Sequence, residues 1–206
     1  MASALQEYLN TLRDKKVVVI GMGVSNMPLI EKLLEVGLSV MACDKRQKEA
    51  FGGRIEELEQ RGLSVCLGAD YLEHLEGADV IFRTPGMRPD LPQLIKAIEA
   101  GAVLTSEMEV FFEVCPCPII AVTGSDGKTT TANMIAALLR AAGHHVLLGG
   151  NNGGTLLPHL HTLGEADFAV VELSSFQLMT APAPDIAVLT NLTPNHLNWH
   201  TDYEEY

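Results

Sequence analysis

The stretch Thr123-Gly124-Ser125-Asp126-Gly127-Lys128-Thr129-Thr130-Thr131 limits what this chain can fold into more than any other. It follows an apolar run, Pro118-Ile119-Ile120-Ala121-Val122, and opens a segment of helical character over 130–142. Strand, glycine loop and helix in that order make a cradle for phosphate. Backbone N–H groups face the anion, the helix N-terminus adds positive dipole, and Lys128 reaches the terminal phosphates. The full Walker pattern needs a glycine five positions before Gly127, and that position is Val122. The loop is a shortened form, Gly-x-x-Gly-Lys-Thr.

Apolar runs alternate with amphipathic stretches along the rest of the chain. Strands are expected at 17–20, 39–43, 63–67, 78–82 and 102–105, and helices at 27–36, 47–61, 91–100 and 107–114. That alternation reads as βαβ units, an α/β fold with a parallel sheet covered on both faces. Cys115-Pro116-Cys117-Pro118 interrupts it, because two prolines remove donors and hold the preceding residues off the helical region. A boundary is therefore expected near Pro116, with a Rossmann-like domain over 1–116 and a P-loop α/β domain over 117–206. In the second, strands are expected at 119–122, 145–148, 168–172 and 186–190, and a helix is expected to be continuing at Tyr206. That ending reads as a truncated central domain.

Composition closes off several function classes. An apolar fraction of 47% suffices for a packed core, and a net charge of −12 leaves no basic stripe for nucleic acid. No apolar run reaches the roughly 18 residues of a membrane span, and residues 1–13 lack the apolar core of a secretory signal. Of the four cysteines only Cys115 and Cys117 are close, at a spacing of neither a zinc knuckle nor a redox pair. They read as reduced structural thiols in a cytoplasmic setting.

Other candidate site residues sit at expected strand ends, where ligands bind in open α/β sheets. Gly21-Met22-Gly23-Val24-Ser25-Asn26 stands where a dinucleotide fingerprint belongs, with Asn26 in place of the third glycine. Asp44 ends the second strand and occupies the place of the acid that holds a ribose or base. Arg83-Thr84-Pro85-Gly86-Met87 follows the fourth strand, as a ligand loop or a plain Pro-Gly turn. Gly149-Gly150-Asn151-Asn152-Gly153-Gly154 allows close backbone approach to a ligand or makes a flexible turn. Glu172 heads Glu172-Leu173-Ser174-Ser175-Phe176-Gln177-Leu178 and suits a magnesium ligand. His196 lies within Thr190-Asn191-Leu192-Thr193-Pro194-Asn195-His196-Leu197-Asn198-Trp199-His200; His144, His145, His159 and His161 read as solvated.

Together these segments resemble the Mur ligases, the ATP-dependent amide-bond-forming enzymes of peptidoglycan assembly. The shortened loop is shared across that superfamily, including folylpolyglutamate synthases. The Glu172–Leu178 string is much narrower and resembles the D-glutamate-adding member. The resemblance spans nearly the whole chain but only the N-terminal domain and the front of the central domain of that family. It implies that Val24, Ser25, Asp44, Lys45, Arg46, Thr84, Pro85 and Gly86 hold the uridine diphosphate. Gly124, Ser125, Asp126, Gly127, Lys128, Thr129 and Thr130 would hold ATP, with the Thr129 hydroxyl on Mg²⁺. Glu172 and His196 would be ligands of a second Mg²⁺, and Asn151, Ser174 and Gln177 would face the muramoyl substrate. Lys128, Glu172 and His196 are the implied catalytic residues. The implied substrates are UDP-N-acetylmuramoyl-L-alanine, D-glutamate and ATP, joined through an acyl phosphate, and the family is usually monomeric.

Two departures stand out. The family's Asp-His-x-Asp reads Asn195-His196-Leu197-Asn198 here. The family's carbamylated lysine, the rest of its adenine site and its D-glutamate-binding third domain are expected beyond Tyr206, so the 206-residue chain is expected not to ligate, and an exposed sheet edge to pair with a second copy. Alternatives are another Mur ligase, a non-catalytic module binding NAD or a UDP-sugar, and a P-loop switch or transporter ATPase.

Overall fold

The computed structural model describes residues 4–152 and 154–206. They separate into two compact units, one running through Val110 and the other from Phe111 to Tyr206.

The first unit contains α1 (Ala4–Thr11), β1 (Val17–Ile20), α2 (Met27–Glu35), β2 (Val40–Asp44), α3 (Arg54–Gln60), β3 (Leu63–Leu67), β4 (Val80–Phe82), α4 (Pro92–Glu99) and β5 (Val103–Thr105). Its strands pair in parallel in the order β3-β2-β1-β4-β5. All four residues of β1 are buried, as expected of a central strand covered on both faces. Proline in the first turn suits the starts of α2 and α4, where the missing N–H costs no bond. Helix α2 buries Leu29, Ile30, Leu33 and Leu34, each worth roughly 1.5–3 kcal/mol by area removed from water. Order reverses at β1, which has β2 on one side and β4 on the other, so the crevice opens at the carboxyl ends of β1 and β4.

The helix expected over 47–61 is broken. A 3₁₀ turn, Lys48–Phe51, comes first, and Gly52 (φ 56°) and Gly53 (φ 85°) then take the left-handed conformation before α3 begins. Two successive left-handed residues cannot sit inside an α-helix. Helix α1 escaped the sequence reading, its eight residues being largely polar.

Helix α5 (Glu107–Val114) contains the division between the units, and Pro116 lies in the segment after it. The second unit continues with β6 (Ile119–Thr123), α6 (Lys128–Ala141), β7 (Val146–Gly150), β8 (Phe168–Glu172), α7 (Ser175–Leu178) and β9 (Ile186–Leu189). Its parallel sheet has the order β7-β8-β6-β9. Ala132 and Ala136 of α6 pack with Ile120, Val122, Val146 and Val170. Small residues at those two positions let the helix backbone lie close to the sheet. Coverage fails at the β9 edge, where Ile186 is 51% and Leu189 61% exposed, and at the β5 edge of the first unit, where Val103 is 58% exposed. The expectation of a sheet covered on both faces therefore holds for the central strands only. Residues 201–205 form bends and turns rather than the expected helix. No helix among the described residues is long and apolar enough to cross a membrane.

Candidate functional site

In the second unit the chain leaves β6 at Thr123 and turns through Gly124 (φ 133°) to Gly127 (φ 80°), the residue that precedes α6. A Cβ on Gly124 would strike the Thr190 hydroxyl and stand 2.9 Å from the Asn191 carbonyl oxygen. The loop is held from below. Thr190 donates its N–H to the Thr123 carbonyl (3.0 Å) and its hydroxyl to Asp126 O (2.6 Å), while Asn191 Oδ1 accepts the Asp126 N–H (3.0 Å). Lys128 Nζ donates to Gly124 O (2.6 Å) and Ser125 O (3.0 Å), so the ammonium sits inside the curve of the loop. Ser125 is buried and turned away: its hydroxyl donates to Thr193 O (2.7 Å) and lies 2.6 Å from the Tyr206 hydroxyl. The Ser125 N–H is engaged as well, donating to Asn191 O at 3.1 Å.

Glu172 is buried at the end of β8. Its Oε2 accepts from the Thr129 hydroxyl at 2.7 Å and its Oε1 from Asn151 Nδ2 at 3.1 Å. Asn152 Nδ2 in turn donates to Thr129 Oγ1 at 3.0 Å. An octahedral Mg²⁺ with oxygens at 2.0–2.1 Å sets neighbouring ligand oxygens about 2.9 Å apart. The Thr129–Glu172 pair stands close to that spacing, so the donor set fits such an ion. Gly150 (φ 107°) makes this approach possible, because β7 crosses the Glu172 backbone where no side chain has room. Gly153, part of the same expected glycine run, lies outside the described residues.

Beside the loop is a cavity of about 250 Å³ whose lining includes Lys128, Asn151, Ser174, Phe176, Asn195 and His196. Glu172 does not line it. His196 is exposed and left-handed (φ 51°), its N–H bonded to Asn195 Oδ1 (2.8 Å) and its ring 5.0 Å from Phe176. Phe176 also meets Trp199 (4.5 Å) and His200 (5.8 Å), and His200 Nε2 is hydrogen-bonded to Ser175 Oγ at 2.9 Å. Ser174 and Gln177 form a capping box: the Gln177 N–H donates to Ser174 Oγ, and Gln177 Oε1 accepts from both the N–H and the hydroxyl of Ser174. Ser174 lines the cavity, whereas Gln177 is buried behind it. Among the described residues no three His, Cys, Asp or Glu side chains gather as a metal-binding group.

Sequence reasoning missed Thr190, Asn191, Asn152, Phe176 and His200. Thr190 and Asn191 reach the loop because β9 pairs with β6, a neighbour relation that a linear reading does not contain. The four histidines read as solvated are indeed exposed, though three have contacts: His144 packs edge-on against Phe168, His145 Nδ1 is 3.5 Å from Asp167, and His161 Nδ1 is 3.0 Å from Pro158 O.

In the first unit, Gly21 (φ 86°) sends the chain from β1 toward α2, and a Cβ there would come within 3.0 Å of Thr84 Cβ. The loops after β1 and β4 are thus in contact. Asn26 occupies the third-glycine position by burying its side chain and donating to Ile20 O (2.9 Å). Arg83 is buried beneath the Thr84–Met87 turn and donates to Met87 O at 3.0 Å. Val24, Lys45 and Gly86 are exposed, and Ser25, Thr84 and Pro85 half-buried, around the crevice.

Asp44 is enclosed by protein donors. It accepts from the Met22 N–H (2.7 Å), the Arg46 N–H (2.9 Å) and the Arg46 guanidinium (2.8 and 2.9 Å), and that guanidinium lies 4.4 Å over the Phe51 ring. Burial pushes the carboxyl pKa up, but the Arg46 and Met22 hydrogen bonds outweigh it and hold it below the ordinary 3.8. A depressed folded-state value means stabilisation is complete above the unfolded value and is lost as pH falls through the folded one. Asp44→Asn should therefore cost about 2 kcal/mol at pH 7, in the range of hydrogen bonds to a charged group. The gap from wild type should narrow below about pH 4. Urea unfolding of both proteins across that range checks it; a gap independent of pH contradicts the assignment.

Residues 15–106 match the model of the MurD-like N-terminal domain of Mur ligases, and residues 122–206 match that of the Mur ligase middle domain. The whole chain is 48% identical to UDP-N-acetylmuramoylalanine–D-glutamate ligase from Ruminiclostridium cellulolyticum and 47% identical to that of Clostridium botulinum strain Loch Maree. It spans 44% and 45% of their lengths. Among solved structures, a UDP-N-acetylmuramate:L-alanyl-gamma-D-glutamyl-meso-diaminopimelate ligase from Neisseria meningitides aligns over 92% of this chain and 64% of its own, with a TM-score of 0.54 and 24% identity. A murein peptide ligase from Psychrobacter arcticus aligns over 89% and 44%, with a TM-score of 0.51 and 22% identity. These two likenesses bear on the fold alone.

Proposed function

We propose, from the premise that this chain belongs to the Mur ligase family, that it forms the UDP-substrate and ATP-phosphate halves of a D-glutamate-adding ligase of peptidoglycan synthesis. The observation that carries this reading is the meeting of Lys128, the Thr129–Glu172–Asn151 network and the His196-lined cavity at one end of the second sheet. Lys128 and the N–H groups of the first turn of α6 take the phosphates of ATP, since those of Ser125 and Asp126 are spent on Asn191. Thr129 and Glu172, expected from sequence on two different ions, would here share one Mg²⁺ without His196, which lines a cavity that Glu172 does not; the ion would neutralise charge on the transferring phosphoryl group. The first unit takes UDP-N-acetylmuramoyl-L-alanine at the crevice between Gly21 and Thr84, with Asp44 and Arg46 fixing its flank.

In this reading a substrate carboxylate attacks the γ-phosphate of ATP and expels ADP, and the amine of D-glutamate then displaces phosphate from the resulting acyl phosphate, losing a proton as the amide forms. Two anions must meet in the first step, so Lys128 and the loop dipoles carry most of what this chain contributes. No side-chain nucleophile is required. Such chemistry on soluble nucleotide substrates belongs to the cytoplasm.

A thermal-shift panel tests the proposal. UDP-N-acetylmuramoyl-L-alanine, and separately Mg²⁺ with a non-hydrolysable ATP analogue, should each raise the midpoint, by an amount equal to about 2.7 kcal/mol at one hundred times Kd. A shift with NAD and none with the UDP substrate would move the first unit to a dinucleotide-binding role.

A further inference from the structure

The segment joining α5 to β6 carries Cys115-Pro116-Cys117-Pro118, which the proposed reaction does not use. Both cysteines are free thiols. Exposure alternates along it: Cys115 is half-buried, Pro116 exposed, Cys117 buried and Pro118 exposed. The chain bends at Pro116 and Cys117, which turns both thiols to one side. Each cysteine precedes a proline, and that limits its backbone to extended conformations. The sulfurs end 3.8 Å apart, with Cys115 Sγ also 3.5 Å from the Cys117 carbonyl oxygen.

That distance discriminates between uses of the pair. A disulfide needs the sulfurs at about 2.05 Å, which a backbone fixed by two prolines opposes. Two thiolates on one tetrahedral cation with metal–sulfur bonds of about 2.3 Å stand about 3.8 Å apart. The observed spacing, at which the two thiols also stand within hydrogen-bonding reach of each other, matches the second case without movement. We propose that Cys115 and Cys117 form a two-thiolate site for a soft divalent cation of the zinc class. Among the described residues no third His, Cys, Asp or Glu completes a group with them, so the other coordination positions go to solvent. Burial is the main cause that pushes both thiols up, and Asp185 beside Cys115 and Asp167 beside Cys117 add a smaller negative field that draws a cation.

Binding replaces two S–H protons by one metal ion and releases both to solvent, with no change of oxidation state. Because both protons must leave for the metal to bind, affinity should rise with pH. Cys43 and Cys66 offer an internal comparison: they are in register on β2 and β3, with Cys43 fully buried in the first core.

The test titrates the reduced full chain with Co²⁺, whose sulfur-to-metal absorption reports thiolate ligation, and then displaces it with Zn²⁺. One Co²⁺ per chain is expected, with affinity lowered more than about a hundredfold in Cys115→Ser and in Cys117→Ser, beyond what loss of an outer-shell partner causes. Cys66→Ser should bind as wild type. In parallel, Zn²⁺ should protect Cys115 of the unmutated chain from alkylation, a readout independent of how the serine variants fold. Absence of the thiolate band, its survival in either serine variant, or unprotected Cys115 in the presence of Zn²⁺ would each overturn the proposal.

Discussion

Gly150→Ala is expected to destabilise the second unit by about 3 kcal/mol or more, the sum of overpacking and of a left-handed φ forced on an L-residue. The added methyl would collide with the Glu172 carbonyl oxygen and stand 2.9 Å from its amide nitrogen, and neither backbone atom can rotate away. Gly150 is paired with Glu172 in the β7–β8 ladder. Relief therefore requires β7 to part from β8 at the end that holds Asn151 against the Glu172 carboxylate. Gly143→Ala is the control: its φ is 93° and nothing lies within 4 Å of its Cβ position. It should cost only about 1–2 kcal/mol, the conformational part alone. Urea unfolding of both variants measures the difference. Equal losses would mean that the close approach of β7 to Glu172 is not a constraint in solution.

Lys128→Met should weaken binding of Mg²⁺ and a non-hydrolysable ATP analogue by about a hundredfold or more. That corresponds to about 2.7 kcal/mol, in the range for a hydrogen bond to a charged group inside a site. Its ammonium already lies within the loop on the Gly124 and Ser125 carbonyls, so little rearrangement is needed to meet a phosphate. Stability should change by less than about 1 kcal/mol, because a half-buried lysine adds little to the core. Lys128→Arg should fail to rescue, since a planar fork does not fit where a compact ammonium is coordinated from several sides. Calorimetric titration separates the effects. Undiminished affinity in Lys128→Met would remove the phosphate role from this loop.

Local chemistry was legible in the sequence and neighbour relations were not. Thr123–Thr131 announced itself because strand, glycine turn, lysine and helix are consecutive, and the parallel α/β fold followed from alternating apolar runs. Glu172 was found because a carboxylate ending an apolar strand is conspicuous. Its partners Thr129 and Asn151 come from other elements, and the part played by Thr190 and Asn191 depends on β9 lying beside β6. The helix drawn through 47–61 failed at Gly52-Gly53, where two left-handed residues outweigh the amphipathic pattern on either side. Asn195, standing where the resemblance leads one to expect Asp, spends its side-chain oxygen on the His196 N–H in a left-handed turn. That turn is a backbone matter invisible to motif matching.

The hydrogen bonds exchanged between Ser174 and Gln177 bear on how this family is recognised at all. Both residues belong to the string that most narrowly identifies the chain, yet each spends its side-chain oxygen on the other. Threonine for Ser174 together with glutamate for Gln177 would preserve the same reciprocal pattern. Alanine at either position would strand a buried partner. Part of that string therefore specifies how a short helix begins, and of the two residues only Ser174 also reaches the cavity.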